Sequence, residues 1–161
     1  MAVKGVLIAC GLAVLVLSAC ASRGPTEPVE TRAWLIAGND VNPDISGRPS
    51  PVVVRVIQLR ADAEFLSSDF FALYSNEKTA LGASLVARDE FVMHPGERRE
   101  TRIGLAPEAR YVGVIAAFRD INGAHWRALQ LRPRRTFGRG FAKARVTIGI
   151  GRDALTLSVK K

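Results

Sequence analysis

Cysteine and histidine are scarce in this 161-residue chain, which contains two of each. Cys10 lies within an apolar N-terminal segment and Cys20 follows it, so no disulfide is expected within the chain once that segment is removed. A zinc site would need both His94 and His125 together with carboxylates, and we interpret both histidines as structural. Neither an H-E-x-x-H nor a G-x-S-x-G motif occurs, so the common zinc-protease and serine-hydrolase patterns are absent.

Low-complexity and disordered classes are also excluded by the composition. Apolar residues make up 48% of the chain, which is too high for intrinsic disorder, and the 14 glycines and 8 prolines follow no short period. The chain carries 23 Lys and Arg against 15 Asp and Glu, a formal charge of +8. Its length fits one domain that is large enough to bury its own core.

The N-terminus has the pattern of a bacterial lipoprotein signal. Lys4 precedes a stretch of 18 uncharged residues that ends at Ser22, and this stretch could alternatively be a short transmembrane helix. Leu17-Ser18-Ala19-Cys20 resembles a lipobox, which favours cleavage before Cys20 and acylation of its thiol. We therefore expect a signal peptide over 1–19 and an acylated Cys20 with a flexible tether over 20–30. Ala21 indicates sorting to the periplasmic face of the outer membrane by similarity to sorted lipoproteins.

The remaining residues, 31–161, read mostly as short strands. Alternating or continuous apolar segments bounded by turn residues predict eight strands and therefore a β-sandwich or barrel. Asn122-Gly123 between two predicted strands indicates a hairpin, and Gly151-Arg152-Asp153 predicts a turn within another. Gly149 to Ala154 also matches a dinucleotide-binding fingerprint, but no helix is expected after it. The predicted strands are 32–37, 52–59, 90–93, 101–105, 111–118, 126–131, 142–150 and 155–159.

A helical insertion is expected over about 61–86. Phe65, Leu66, Phe70 and Leu73 fall at helical spacing, and Ser67 or Ser68 could cap a helix. This stripe predicts two or three short helices that form a lid over one end of the sandwich core.

The last quarter of the chain is strongly basic. For an exported protein nucleic acid is excluded as a partner, and the remaining interpretations are anionic lipid headgroups, an acidic partner surface or a solvated face. The basic residues are Arg127, Arg132, Arg134, Arg135, Arg139, Lys143 and Arg145.

The connection between the first two predicted strands, Asn39 to Pro51, is long and carries three prolines, which is typical of a binding loop. Its turn residues, followed by Val52-Val53-Val54-Arg55, resemble the TssJ family of type VI secretion system outer-membrane lipoproteins. The resemblance continues in order over the mature domain. It includes Asp69-Phe70-Phe71-Ala72-Leu73-Tyr74, Pro95-Gly96, Tyr111-Val112-Gly113-Val114, Ala116-Ala117-Phe118-Arg119 and Trp126-Arg127.

This resemblance implies a transthyretin-like two-sheet sandwich with a short helical insertion and no enzymatic activity or cofactor. It implies a partner, the periplasmic C-terminal domain of TssM, within a trans-envelope complex that also contains TssL. The resemblance assigns the contact to the loop, although Gly47 and the prolines could instead only shape it. The expected partner-binding residues are Asn42, Pro43, Asp44, Gly47, Arg48 and Pro49. The alternatives are a periplasmic lipoprotein that binds a small ligand or envelope polymer, and a periplasmic hydrolase.

Overall fold

The protein is described by a computed structural model over residues 28–133 and 145–160. Three short helices and a 3₁₀ helix lie between the second and third strands: Ala63–Ser67 (α1), Phe70–Ser75 (α2), Glu77–Leu81 (α3) and Gly82–Ser84. The strands are Val29–Ala37 (β1), Val52–Leu59 (β2), Leu85–Met93 (β3), Arg98–Leu105 (β4), Tyr111–Ala116 (β5), Arg127–Leu131 (β6), Arg145–Ile150 (β7) and Leu155–Lys160 (β8).

The strands form two four-stranded sheets, which confirms the predicted sandwich. The first sheet has the order β4-β1-β7-β8 and the second has the order β3-β2-β5-β6. Neighbouring strands are antiparallel except β1 and β7, which are parallel. Since β1 and β2 belong to different sheets, the loop between them crosses from one sheet to the other.

The main hydrophobic core lies between the two sheets. Alternate residues of β1, including Ala33 and Leu35, point inward and are fully buried, while the residues between them are more exposed. Gln58 is a buried polar residue in this layer. Its Nε2 donates to the Gly104 carbonyl at 2.9 Å and its Oε1 accepts from the Ala106 N–H at 2.8 Å, so it joins the second sheet to the first.

The helices do not form the lid that the sequence predicts at one end of the sandwich. They cover the outer face of the second sheet and form a second hydrophobic cluster there. The reason lies in β2 and β5, whose apolar residues are buried on both faces and therefore need a layer on each side. The cluster consists of Ile57, Leu59, Phe65, Leu73, Leu81 and Ile115.

Local details of the helical insertion also differ from expectation. Asp69, rather than Ser67 or Ser68, caps α2, because its carboxylate accepts from the Ala72 N–H at 2.8 Å. Ser68 instead ends α1 in an extended conformation. Leu66, which belongs to the predicted helical stripe, has 48% of its surface exposed, whereas Phe65 and Leu73 are fully buried.

The structure contains both predicted hairpins, with connections of different length. Gly151 to Ala154 forms a tight turn between β7 and β8, with the Gly151 N–H donating to the Ala154 carbonyl at 2.8 Å. β5 and β6 pair on either side of Asn122-Gly123, and their connection spans residues 117–126. Asp120 shapes this longer loop by accepting from the Gly123 N–H at 3.1 Å.

The register defines two ends of the sandwich. Val29 pairs with Leu105, and Leu59 pairs with Tyr111, which in turn pairs with Leu131. These residues mark the amino-terminal end. The loops over residues 38–51 and 117–126 and the turn over 151–154 lie at the opposite end, which we call the loop end.

Candidate partner-binding site

The loop between β1 and β2 is fastened to the rest of the loop end at its base. The Gly38 N–H donates to the Ile150 carbonyl at 2.8 Å, and the Gly96 N–H donates to the Gly38 carbonyl at 3.0 Å. Within the loop, the Ser50 N–H donates to the Val41 carbonyl at 3.1 Å, and Val41 is fully buried. The loop is therefore an ordered extension of the sandwich core.

Asn42 joins the three segments of the loop end. Its Nδ2 donates to the Pro51 carbonyl at 2.7 Å, and its Oδ1 accepts from the Arg119 N–H at 2.7 Å. Its own N–H donates to the Arg152 carbonyl at 3.0 Å. The residue has a φ of 48°, a left-handed conformation that asparagine tolerates better than most residues. With only 4% of its surface exposed, Asn42 shapes the site from inside.

Asp44 organises the tip of the loop. Its Oδ1 accepts from the Ser46 N–H at 2.8 Å and from the Arg48 N–H at 3.0 Å, and its Oδ2 accepts from Arg48 Nε at 2.8 Å. These hydrogen bonds, led by that of the Arg48 backbone, lower the pKa of the Asp44 carboxyl. Ionised Asp44 therefore holds the tip together above the ordinary aspartate pKa, and its contribution is lost as the pH falls through the lowered value.

Gly47 completes this turn because its φ of 76° is readily adopted only by glycine. The Gly47 N–H donates to the Asp44 carbonyl at 2.9 Å, and the Asp44 N–H donates to the Arg48 carbonyl at 2.9 Å. The tip is therefore closed by both backbone and side-chain hydrogen bonds.

Ile45 is the residue that the sequence analysis missed. Its side chain projects from the tip with a relative exposure of 107%, and the Arg48 side chain beside it is 79% exposed. A β-branched apolar residue among Asn, Pro, Asp, Ser and Gly was the signal that could have identified it. The tip thus presents an apolar side chain and a cation on a hydrogen-bonded turn.

A cleft of about 720 Å³ opens beside the tip. It lies between the first loop, the loop after β5 and the β7–β8 turn, and it carries charges of both signs. Its lining residues are Asn42, Pro43, Asp44, Ile45, Phe118, Arg119, Asp120, Arg152 and Asp153.

The structure brings the six predicted contact residues together in this one loop but gives them different environments. Asn42 is buried, Pro43 and Asp44 are half-buried, and Gly47, Arg48 and Pro49 are exposed. The exposed residues and Ile45 form the accessible part of the loop. The predicted acylation site, Cys20, lies outside the described residues.

Comparison with known proteins decides the family. Residues 30–153 match the model of the type VI secretion lipoproteins, described as VasD, EvfM and TssJ. The chain belongs to this family.

Solved structures agree with this membership of the type VI secretion lipoprotein family. The chain is 31% identical to the T6SS lipoprotein TssJ1 from Pseudomonas aeruginosa and 33% identical to Lip from Serratia marcescens, a membrane-bound component of the type VI secretion system. Each alignment covers 83% of this chain and 98% of the other, with a TM-score of 0.74. A chain of a type VI membrane complex is 25% identical, with a TM-score of 0.67 over 80% of this chain and 97% of that one. A search of curated proteins finds no match.

Family membership confirms the resemblance and the transthyretin-like sandwich that it implied. Within the described residues, no three His, Cys, Asp or Glu side chains come together as a candidate metal site. His94 and His125 both lie in turns and loops, where their backbone N–H groups donate to Glu97 Oε2 at 2.9 Å and to the Asp153 carbonyl at 2.8 Å. No helix in residues 28–133 or 145–160 has the length and apolar character needed to cross a bilayer.

The predicted basic cluster divides into parts with different environments. Arg127 donates from Nη1 to the carbonyls of Phe65 and Ser68, at 3.1 and 2.9 Å, and so fastens α1 to the second sheet. Arg132 Nη1 donates to the Pro107 carbonyl at 2.9 Å. Arg145 is exposed on β7. Arg134, Arg135, Arg139 and Lys143 lie outside the described residues.

Proposed function

We propose that this protein is a lipid-anchored component of the type VI secretion trans-envelope complex that binds the periplasmic C-terminal domain of TssM. Acylated Cys20 holds it at the periplasmic face of the outer membrane, and the loop between β1 and β2 makes the contact with TssM. Its role is binding, without catalysis. Family membership supports the secretion role, and the ordered loop with Ile45 at its tip is the observation that carries the contact.

The hydrogen bonds of the loop tip favour such a contact energetically. Because Asp44 and Asn42 already fix the loop, little conformational entropy is lost when a partner binds. Burial of Ile45 in a partner pocket would remove an exposed apolar side chain from water, which stabilises a complex by about 1.5–3 kcal/mol. Arg48 can add a charged contact at the rim, where such contacts chiefly affect the association rate.

The two ends of the sandwich fit the two proposed attachments. The described chain begins at Pro28, next to β1 at the amino-terminal end, and the loop tip lies at the opposite end. The nine residues of β1 run from one end of the sandwich to the other, a distance of about 30 Å. The lipid and the partner could therefore be held at the same time without competing for one surface.

The contact is tested by titrating the purified periplasmic fragment of TssM with variants of the loop tip. Ile45→Ala should weaken binding at least about tenfold, and Ile45→Asp should weaken it further, because a charge is then placed against the apolar pocket. Leu131→Ala is the matched control, since Leu131 is 61% exposed at the amino-terminal end and should leave the affinity unchanged. Equal affinity of all three variants and the parent would move the contact away from the tip.

The lipid anchor is tested separately by labelling cells with palmitate. Cys20→Ser should abolish labelling and either release the protein into the soluble periplasm or leave the signal uncleaved. Persistent labelling of this variant would refute Cys20 as the acylated residue.

A further inference from the structure

Four cationic side chains form a single row across the outer face of the first sheet. Arg32 on β1 pairs with Arg102 on β4 and with Arg145 on β7, and Arg145 pairs with Lys160 on β8. All four are exposed and point away from the core. Because neighbouring strands are about 4.8 Å apart, this cation row spans about 14 Å.

The cation row is only weakly neutralised. Arg32 Nε lies 3.9 Å from Glu100 Oε1, and within the described parts of the chain no ion pair involves Arg102, Arg145 or Lys160. Like charges directly opposite each other on a sheet destabilise it. Repulsion within the row therefore opposes folding, and an anionic surface bound to the row would relieve this repulsion.

The outer face of this sheet, taken as a whole, also has a net positive charge over the described residues. Glu30 and Glu100 are carboxylates on neighbouring rows, and Arg98 adds a further cation opposite Ile36. With the cation row, these give five cations against two carboxylates on the described part of the face. The net positive charge complements an anionic surface.

The position of the row relates it to the proposed lipid anchor. Arg32 is three residues from Val29, where β1 begins, and Pro28 precedes it. The eight residues from Cys20 to Pro28 reach at most about 28 Å when fully extended. An acyl group on Cys20 would thus keep the cation row close to the leaflet.

We propose that the outer face of the first sheet docks on the anionic phospholipid headgroups of the leaflet that receives the acyl group. This inference rests on the proposed lipid anchor at Cys20. A lipid surface is favoured over an acidic protein because the tether holds the face beside the bilayer and because the cations are spread across an open sheet face. Each cation near an anionic membrane strengthens binding about fivefold.

The test uses the unacylated chain from Ala21 to Lys161, which contains every described strand and both hydrophobic clusters. It is sedimented with vesicles of phosphatidylcholine, alone or mixed with phosphatidylglycerol. Binding should require phosphatidylglycerol and weaken as salt is added. The row variant Arg102→Gln, Arg145→Gln, Lys160→Gln should bind about 100-fold more weakly, as expected for the loss of three such contacts.

A matched variant separates this surface from net charge alone. Arg60→Gln, Lys78→Gln, Arg110→Gln removes the same charge from the helical layer and from the amino-terminal end of the second sheet, and it should retain most of the binding. The row variant should also unfold at the same temperature as the parent or higher, because repulsion within the sheet is relieved.

Equal binding by the two variants, or equal binding to both kinds of vesicle, would overturn the proposal. The proposal would also be overturned if the chain bound an acidic protein fragment through the row but did not bind vesicles. These results leave palmitate labelling at Cys20 and TssM binding untouched, so failure of the docking surface can be told apart from failure of the proposed function.

Discussion

At the scale of single residues, Asn42 has the largest structural effect on the candidate site. Two hydrogen bonds connect its loop with the loop after β5 and with the β7–β8 turn, and a third closes its own loop at Pro51. A buried amide that satisfies its partners in this way specifies one geometry, because any shift leaves a polar group unpaired. Its effect on a partner is therefore expected to pass through the shape of the loop.

Asn42→Ala should lower the free energy of unfolding by about 2–4 kcal/mol. The substitution leaves the part-buried Arg119 N–H without its acceptor and forces alanine into a left-handed φ that asparagine tolerates better. Asn42→Gly also removes the acceptor for the Arg119 N–H, but glycine adopts the left-handed φ without strain. Its free energy of unfolding, measured by urea denaturation, should therefore lie between those of the alanine variant and the parent. The ranking fails if the glycine and alanine variants are equally stable.

Glu77 gives a prediction about pH. Its side chain is 10% exposed, its Oε1 has no hydrogen-bond partner among the described residues, and Arg88 Nε lies 3.6 Å from its Oε2. Burial raises the pKa of this carboxyl despite the attraction of Arg88. The folded chain thus holds the proton more tightly than the unfolded chain, and ionised Glu77 costs stability above the raised pKa.

Glu77→Gln should therefore stabilise the protein at neutral pH. The gain should shrink as the pH falls toward the ordinary glutamate pKa of 4.5, where the parent carboxyl becomes protonated in both states. Urea denaturation at several pH values measures this change, with Glu108→Gln as the control because Glu108 is 48% exposed. A stabilisation that is the same at every pH would contradict the role assigned to the buried charge.

At the scale of elements, the helical insertion depends on its contact with the second sheet. Phe65 on α1 is fully buried against this sheet, and Gly113 on β5 lies beneath its ring. A Cβ at position 113 would come within 2.9–3.3 Å of three ring atoms, so the close approach of α1 requires glycine there. The Phe65 ring therefore occupies the space that a side chain at position 113 would need.

This packing is tested by a double-mutant cycle. Phe65→Ala should cost about 3–5 kcal/mol, and Gly113→Ala should cost about 1–3 kcal/mol in the parent because the ring must move. In the Phe65→Ala background, Gly113→Ala should be neutral or stabilising, since its methyl group then enters the space left by the ring. Additive costs in thermal or urea unfolding would show that the two positions do not interact.

The strands were easier to predict from the sequence than the placement of the helices. The alternation in β7 and β8 and the apolar run of β2 reflect local chain geometry, and their positions follow closely from the residues. Which face the helices cover depends on contacts distant in sequence, such as Phe65 on Gly113. β3 begins at Leu85, five residues before the predicted start at Glu90, because Arg88 and Asp89 interrupt its apolar pattern, as is common on an edge strand.

The candidate site was predictable in part for a similar reason. Turn chemistry identified Asp44 and Gly47, because their residue types are tied to local hydrogen bonds and a positive φ. Exposure is a property of the folded chain, so residue types alone do not indicate that Ile45 projects fully into solvent while Asn42 is buried.

At the scale of the whole molecule, the three layers give the protein two unlike outer faces. The first sheet exposes the cation row, whereas the second sheet is covered by helices. The loop end lies at one end of the sandwich, away from both outer faces, and stays accessible to a partner when either face is occupied. Membrane docking of the first sheet and TssM binding at the loop end are therefore geometrically compatible proposals.

This arrangement predicts how the acylated protein lies on a vesicle. In the proposed mature chain Cys20 is the only cysteine and carries the acyl group, so Ser158→Cys on the exposed face of β8 and Lys78→Cys on α3 would each add a single free thiol. A donor dye at residue 158 should transfer energy to acceptor-labelled headgroups far more efficiently than a dye at residue 78. The two positions are separated by the second sheet and the helical layer, together about 20 Å thick. Equal transfer from both positions, or stronger transfer from residue 78, would mean that the cation row does not face the bilayer.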